Sequence, residues 1–340
     1  MDVMALVTRR RDLLCGLATA LLAPELMHTP AIAADGPLQF DHAFGVTVLP
    51  KPATRVVSLG YLTQDPLLAL DVIPLAIRDW FGDQPFAVWP WAQPFLKNAR
   101  PVVIKGNVGL ELVATLQPDL IVGIGSGISE AEYAGLSRIA PVLMQPKAFP
   151  AYGMPWDEMT RLIGRAVGKD RIADELVAKT RQDFAAARLR HPDWGGLTAV
   201  AAYHYGSETG FFASSDTRGH FLTELGFART AASRLLDGSK SFYQKLSPED
   251  LSALEADLVL WVSSSETATD LAALPMRRVL KAHAEGREVF AGGTVAAALS
   301  FGSVLSLPFV LSALEADMAA ALDGDPRTSV ASAVRAGLAP

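Results

Sequence analysis

Two α/β lobes with parallel sheets, joined by a single long α-helix, are the architecture this sequence predicts, and three observations carry the prediction. Glu111-Leu112-Val113-Ala114-Thr115-Leu116-Gln117-Pro118-Asp119-Leu120-Ile121-Val122 recurs as Glu249-Asp250-Leu251-Ser252-Ala253-Leu254-Glu255-Ala256-Asp257-Leu258-Val259-Leu260. Each copy follows an apolar strand and a helix, so strand–helix alternation runs through both halves. Between the halves, from 156 to 190, apolar residues recur at helical spacing with no proline before Pro192.

Residues 1–34 read as an export signal. Arg9-Arg10-Arg11 precedes an apolar run of about 11 residues, short of the roughly 20 a membrane-spanning helix needs. Pro24 breaks the run, and Ala31-Ile32-Ala33-Ala34 offers small side chains for cleavage. Thr8-Arg9-Arg10-Arg11-Asp12-Leu13-Leu14 resembles a twin-arginine signal, with an ordinary secretory signal as the alternative. Cys15 stands near the start of the run, whereas a lipid-anchored cysteine stands at its end, so the mature chain is expected to lack cysteine. The signal holds Arg9, Arg10 and Arg11 against Asp2, Asp12 and Glu25, so the net charge of −6 survives its removal.

The first lobe is expected over 35–150. Its strands are 55–59, 74–77 and 120–122, and its first helix ends at Leu70-Asp71. The linker is placed at 151–192; its helix, about 50 Å long if continuous, spans both lobes as a stiff hinge. Should it break near Gly168-Lys169, the second part alone reaches about 30 Å. The second lobe, 193–325, starts with a strand at 199–203, followed by a helix ending at Leu225-Gly226. Residues 326–340 are a tail.

Composition narrows the function. Half of the 340 residues are hydrophobic, which excludes disorder, and one cysteine excludes a disulfide scaffold. The acidic balance gives no footprint for nucleic acid. Gly123-Ile124-Gly125-Ser126-Gly127-Ile128 misses a dinucleotide fingerprint at Ile128 and a nucleophile elbow at Ile124. The six histidines show no metal-ligand spacing. No constellation supports catalysis.

Ligands of parallel α/β sheets sit outside the carboxyl ends of the strands. There the sequence places Arg78, Asp79, Trp80 and Phe81, then Phe86, Trp89, Trp91 and Phe95; Ser126 in its glycine-rich loop; His204 and Tyr205; and Trp261, Ser263 and Ser264. The proline-bearing run from Trp80 to Phe95 is not a regular helix. It suits a cleft for a bulky, partly apolar ligand, the alternative being aromatics packed under long loops.

The chain over about 38–320 resembles the periplasmic binding proteins of ferric-siderophore and cobalamin ABC importers, with two Rossmann-like lobes on one long helix (class III). The most specific stretches are Gly106-Asn107-Val108-Gly109-Leu110-Glu111 through Pro118-Asp119-Leu120-Ile121-Val122-Gly123, and Ile139-Ala140-Pro141-Val142. Asp79-Trp80-Phe81-Gly82-Asp83-Gln84-Pro85 with Val88-Trp89-Pro90-Trp91-Ala92 is similar to an iron-siderophore branch. The resemblance implies a ferric siderophore, hydroxamate type favoured, held by Arg78, Trp80, Trp89, Lys105, Ser126, Tyr205, Arg218, Tyr243 and Phe301. Trp80 matches an aromatic after the second strand. Lys105 stands where an arginine contacts the iron-bound oxygens, which keeps the charge and loses the planar fork. Phe242-Tyr243 matches a second-lobe tryptophan, and Phe301 replaces a tyrosine. Asp65 and Glu249 fall at acids that dock permease arginines, though helix N-terminal acids favoured by the dipole fit the same positions. The implied protein is periplasmic and monomeric, with an inner-membrane permease as partner and no cofactor, since iron arrives chelated. Haem (axial candidates His204, Tyr205 and Tyr243), cobalamin, and an exported enzyme on the same fold are the alternatives.

Overall fold

The apolar segments expected as buried strands form two separate sheets within one unit, Pro37–Pro340, of a computed structural model that describes residues 36–236 and 241–338. The expected export signal lies outside the described residues. A hairpin of β1 (Leu38–His42) and β2 (Gly45–Leu49) comes first and turns Phe40 and Leu49 inward.

The first sheet is wholly parallel: β3 (Val56–Ser58), β4 (Ala76–Arg78), β5 (Val102–Ile104), β6 (Leu120–Val122) and β7 (Val142–Leu143), in the order β5-β4-β3-β6-β7. Its faces alternate residue by residue. Val56, Leu120 and Val122 pack on Met159 and Ile163, while Val57 and Ile121 pack on Val113 and Leu136. The order reverses at β3, which opens the ligand-binding crevice of a doubly wound sheet between β3 and β6.

The second sheet holds β8 (Thr198–Tyr205), β9 (Glu208–Phe212), β10 (Ala228–Arg229), β11 (Tyr243–Leu246), β12 (Leu258–Val262) and β13 (Glu288–Ala291). It runs β11-β9-β8-β12-β13, with β10 beside β8. The sheet is mixed rather than parallel, because β9 runs antiparallel to both of its neighbours, β8 and β11. A helix does not follow β8 directly: Gly206-Ser207 forms a two-residue hairpin loop, Tyr205 opposes Glu208, and Gly206 has φ +61°. A glycine first in such a loop costs nothing at positive φ and matches strand twist. The expected helix comes afterwards, Thr217–Glu224.

The repeat is visible in hydrogen bonds. The Asp119 carboxylate accepts from the backbone N–H of Thr54 and Arg55 at the start of β3, and that of Asp257 accepts from Thr198 at the start of β8. Each acid thus fixes the first strand of its lobe beside the strand it leads into. The helix ends correspond as well. Asp71 (φ +58°) and Gly226 (φ +94°) occupy the left-handed position, and the next N–H returns to the third-last carbonyl (Val72 to Leu67, Phe227 to Leu222). The short helix of the first copy, Leu110–Thr115, shrinks in the second to one 3₁₀ turn, Ser252–Leu254.

The linker is two helices, Trp156–Ala166 and Asp170–Arg190, not one. Gly168 has φ +66°, its N–H reaches the Arg165 carbonyl, and that of Lys169 reaches Gly164 at 2.7 Å, a Schellman stop. The first helix packs on the first sheet. The second, 21 residues and about 31 Å long, is tied at both ends. Arg181 pairs with Asp157 and Arg161 with Asp174; Arg190 pairs with Glu315, and Arg188 donates to the Glu224 carbonyl.

Residues 326–340 are not a loose tail where described. Helix Ala331–Ala336 packs on the second sheet, with Val330, Ala333, Ala336 and Leu338 in the core. Arg277, paired with buried Glu288, also donates to the Leu338 carbonyl.

Candidate functional site

The crevice of the first lobe is built from the segments leaving β3, β4 and β6. β3 runs into Leu59-Gly60-Tyr61, and Gly60 approaches so closely that a Cβ there would lie 1.9 Å from the Ile124 carbonyl oxygen. β4 ends on Arg78, followed by Trp80. The Arg78 guanidinium lies 4.8 Å over the Tyr61 ring and donates from Nη1 to the Ser126 carbonyl at 3.0 Å. Tyr61 stacks on Trp80 at 5.7 Å and 25°. Trp80 is 42% exposed, so the stack ends in a partly exposed indole. Arg78, Trp80 and Ser126 are therefore brought together, with Tyr61 joining them. Ser126 contributes its carbonyl, since its buried hydroxyl donates to the Gly123 carbonyl. The strand-end rule applied to 55–59 reaches Tyr61, which stands three residues past β3 just as Trp80 stands two past β4.

Beyond Trp80 the aromatics close up. Phe301, from the end of helix Gly293–Phe301 in the second lobe, meets Trp80, Phe81, Trp89 and Trp91 of the first at 5.1–6.2 Å. Trp89 stacks on Trp91 at 5.4 Å and covers Gly82. Phe301 is 1% exposed and Trp89 is buried, which corrects the expectation that both face ligand: they seal a seam between the lobes. The run from Trp80 to Phe95 is irregular as expected, with 3₁₀ turns at Pro85–Ala87 and Gln93–Leu96, but its tryptophans fill this seam.

Asp65 is a second correction. It lies in the first turn of helix Gln64–Ala69 with 0% exposure, so it has no surface to offer a permease. Its carboxylate accepts from Trp91 Nε1 at 2.8 Å and, across the seam, from the Ser303 hydroxyl. Burial pushes its pKa up to about 6, against the lowering effect of those two hydrogen bonds. Glu249 is exposed. So is Glu111, its counterpart in the repeat, in the first turn of Leu110–Thr115.

On the second lobe, Tyr243 is half-exposed and meets Tyr203 edge-on at 6.0 Å. The Tyr203 hydroxyl donates to Glu208, which also pairs with Lys245; burial, then this carboxylate, hold the phenol above its ordinary pKa. Arg218 lies 3.7 Å over Phe212 and forks onto the Asp216 carboxylate at 2.6 and 2.7 Å. Its neighbour Thr217 abuts Gly302, where a Cβ would lie 2.5 Å from the Thr217 methyl, so Arg218 adjoins the seam. Lys105 and Tyr205 stand apart. Lys105 is paired with Asp83 at 2.7 Å, both exposed, and the bond raises the lysine and lowers the acid. Tyr205 is 76% exposed at the end of β8, beside the hairpin loop. His204 and His220 are held by Thr209 and Glu224. Among the described residues no three His, Cys, Asp or Glu side chains are grouped to hold a metal ion.

Residues 56–291 match the family described as periplasmic binding protein. The Fe(3+) dicitrate-binding periplasmic protein FecB of Escherichia coli is 33% identical over 153 residues, 43% of this chain and 49% of that protein. The chain spans about half the length of the curated relatives it matches. A periplasmic solute binding protein from Mycobacterium smegmatis is 33% identical with a TM-score of 0.74, over 85% of this chain and 99% of that one. PiaA from Streptococcus pneumoniae in complex with ferrichrome has a TM-score of 0.70 at 22% identity, over 84% and 99%, a likeness of fold alone. Among the described residues no helix is long and apolar enough to cross a membrane.

Proposed function

The chain belongs to the periplasmic binding protein family, and from that premise we propose that it is the substrate-binding protein of an ABC importer, taking a ferric siderophore between its lobes and delivering it to an inner-membrane permease. The observation that carries this reading is the Arg78–Tyr61–Trp80 wall. A guanidinium with no carboxylate partner among the described residues lies on a ring stack that ends in an exposed indole. A ferric chelate has anionic oxygens around the metal and apolar chain around those, and such a wall meets both. Two relatives support it by name, one a ferric dicitrate binder and one seen with ferrichrome.

Hydroxamates are the favoured class on charge. Arg218 beside the seam is neutralised by Asp216, which leaves the single charge of Arg78 in the wall to meet the ligand, little against a polyanionic catecholate or citrate complex. Ferric hydroxamates are neutral or weakly charged. Iron arrives chelated, so the protein needs no cofactor, and it acts as a periplasmic monomer once 1–34 is removed. Glu111 and Glu249, exposed and equivalent in the repeat, replace Asp65 and Glu249 as the docking pair.

Tryptophan fluorescence followed during addition of ferrioxamine, ferrichrome, catecholate and citrate complexes tests the reading. Quenching at micromolar levels is expected, tightest with the hydroxamates. No quenching by any of them overturns the siderophore assignment; tighter binding of citrate overturns only the class.

A further inference from the structure

We infer that Tyr152, between β7 and helix Trp156–Ala166, is a specificity-determining residue that presents its phenol to the oxygen donors of the bound chelate, bracketing the Ser126–Gly127 turn together with Arg78. The inference rests on the ferric-siderophore reading above. The turn leaves the carboxyl end of β6, next to β3 where the strand order reverses, the place at which doubly wound sheets hold ligands.

Two side chains meet that turn. Arg78 Nη1 holds the Ser126 carbonyl. Tyr152 lies against the next residue: a Cβ on Gly127 would be 1.9 Å from its hydroxyl oxygen, and Gly127 has φ +66°. Only glycine lets the phenol rest there.

The Tyr152 side chain is otherwise uncommitted. It is 56% exposed, and among the described residues its hydroxyl has no hydrogen-bond partner and its ring no aromatic neighbour. Tyr61, Tyr133, Tyr203 and Tyr243 all have ring partners. Tyr205 has none either, but it ends β8, beside the hairpin loop of the second lobe. A tyrosine on a turn that a cation also holds supplies an apolar face and one O–H donor while freezing only two torsions. That donor suits hydroxamate or carboxylate oxygens, whose charge strengthens the bond.

The test titrates the purified protein with ferrichrome and with ferric citrate, reading tryptophan quenching and melting temperature. Tyr152→Phe removes only the hydroxyl and is expected to raise Kd about 10-fold for the tighter-binding chelate, with an unchanged melting temperature. Tyr152→Ala, which also removes the ring, is expected to raise it at least 30-fold. Kd values of both variants within twofold of the wild type overturn the inference and leave the siderophore reading standing. A loss of affinity matched by a fall in melting temperature makes Tyr152 a structural residue and also overturns it. A wild-type protein that binds neither chelate overturns the siderophore reading itself, and this inference with it.

Discussion

As sequence, Arg78 and Lys105 are two cations beyond neighbouring strands; as structure, they differ in what already holds them. Arg78 rests on Tyr61 with no carboxylate partner among the described residues, while Lys105 is joined to Asp83 in water. A hydrogen bond from a cation to a charged acceptor in a partly desolvated site is worth about 1.5–3 kcal/mol, whereas an exposed ion pair is worth about 0–1. Arg78→Ala is therefore expected to raise Kd for ferrichrome about 10–100-fold and Lys105→Ala less than about threefold, read by fluorescence titration. Equal effects would show that Lys105 leaves Asp83 for the ligand. Strand-end position made Arg78, Trp80 and Ser126 legible, because a parallel sheet sends those residues to one edge. It could not tell Trp80 from Trp89 or Phe301, since which rings stay open depends on how the second lobe meets the first, and no local pattern encodes that.

At the scale of elements, the repeat was the most legible feature, and it has a physical basis. Each copy carries an acid that pins the first strand of its lobe, Asp119 on Thr54 and Arg55, Asp257 on Thr198, so the motif folds the same way twice. The linker break was written in Gly168 and the hairpin in Gly206-Ser207, both glycines at positive φ. The C-terminal helix was not legible, because its stability comes from contacts with β13 and Asp317, remote in sequence. The repeat also bears on docking. Glu111 and Glu249 open its two copies and face solvent, whereas Asp65 is inside. Replacing Glu111 and Glu249 together with alanine is expected to abolish uptake in cells and leave Kd within twofold of wild type. Normal uptake by the double variant would remove both acids from the docking surface.

For the whole molecule, the question is what the buried Asp65 carboxylate does at the seam. It joins Trp91 of the first lobe to Ser303 of the second, and the Ser303 hydroxyl also accepts from the backbone N–H of Leu305 and Ser306 at the start of helix Ser306–Ala321. One carboxylate oxygen takes both donors, and the other is buried with no partner. Burial is the dominant influence on this group, so the folded protein prefers it protonated, with a pKa near 6 against 3.8 for an ordinary aspartate. The sign follows from proton counts. Between those two values the folded state holds the proton and the unfolded state does not, so stability falls as pH rises. The benefit is complete below about pH 4 and gone above about pH 6; a shift of about two pKa units corresponds to about 3 kcal/mol. Carboxylates held below their ordinary range, such as Glu315 by Arg190 and Glu208 by Lys245, act in the opposite sense. The measurement that isolates Asp65 is therefore a difference. Asp65→Asn keeps an acceptor for Trp91 and Ser303 but never ionises, and every other carboxylate is common to both proteins. Urea unfolding at pH 4, 5, 6 and 7 is expected to show the wild type losing about 2–3 kcal/mol relative to Asp65→Asn across that range. Parallel profiles would mean that the carboxylate is hydrated in solution and that the lobes part at Ser303. Profiles that separate as pH rises, the wild type falling below Asp65→Asn, would mean that the seam stays dry, and that mild acid holds the two lobes together more firmly than neutral solution does.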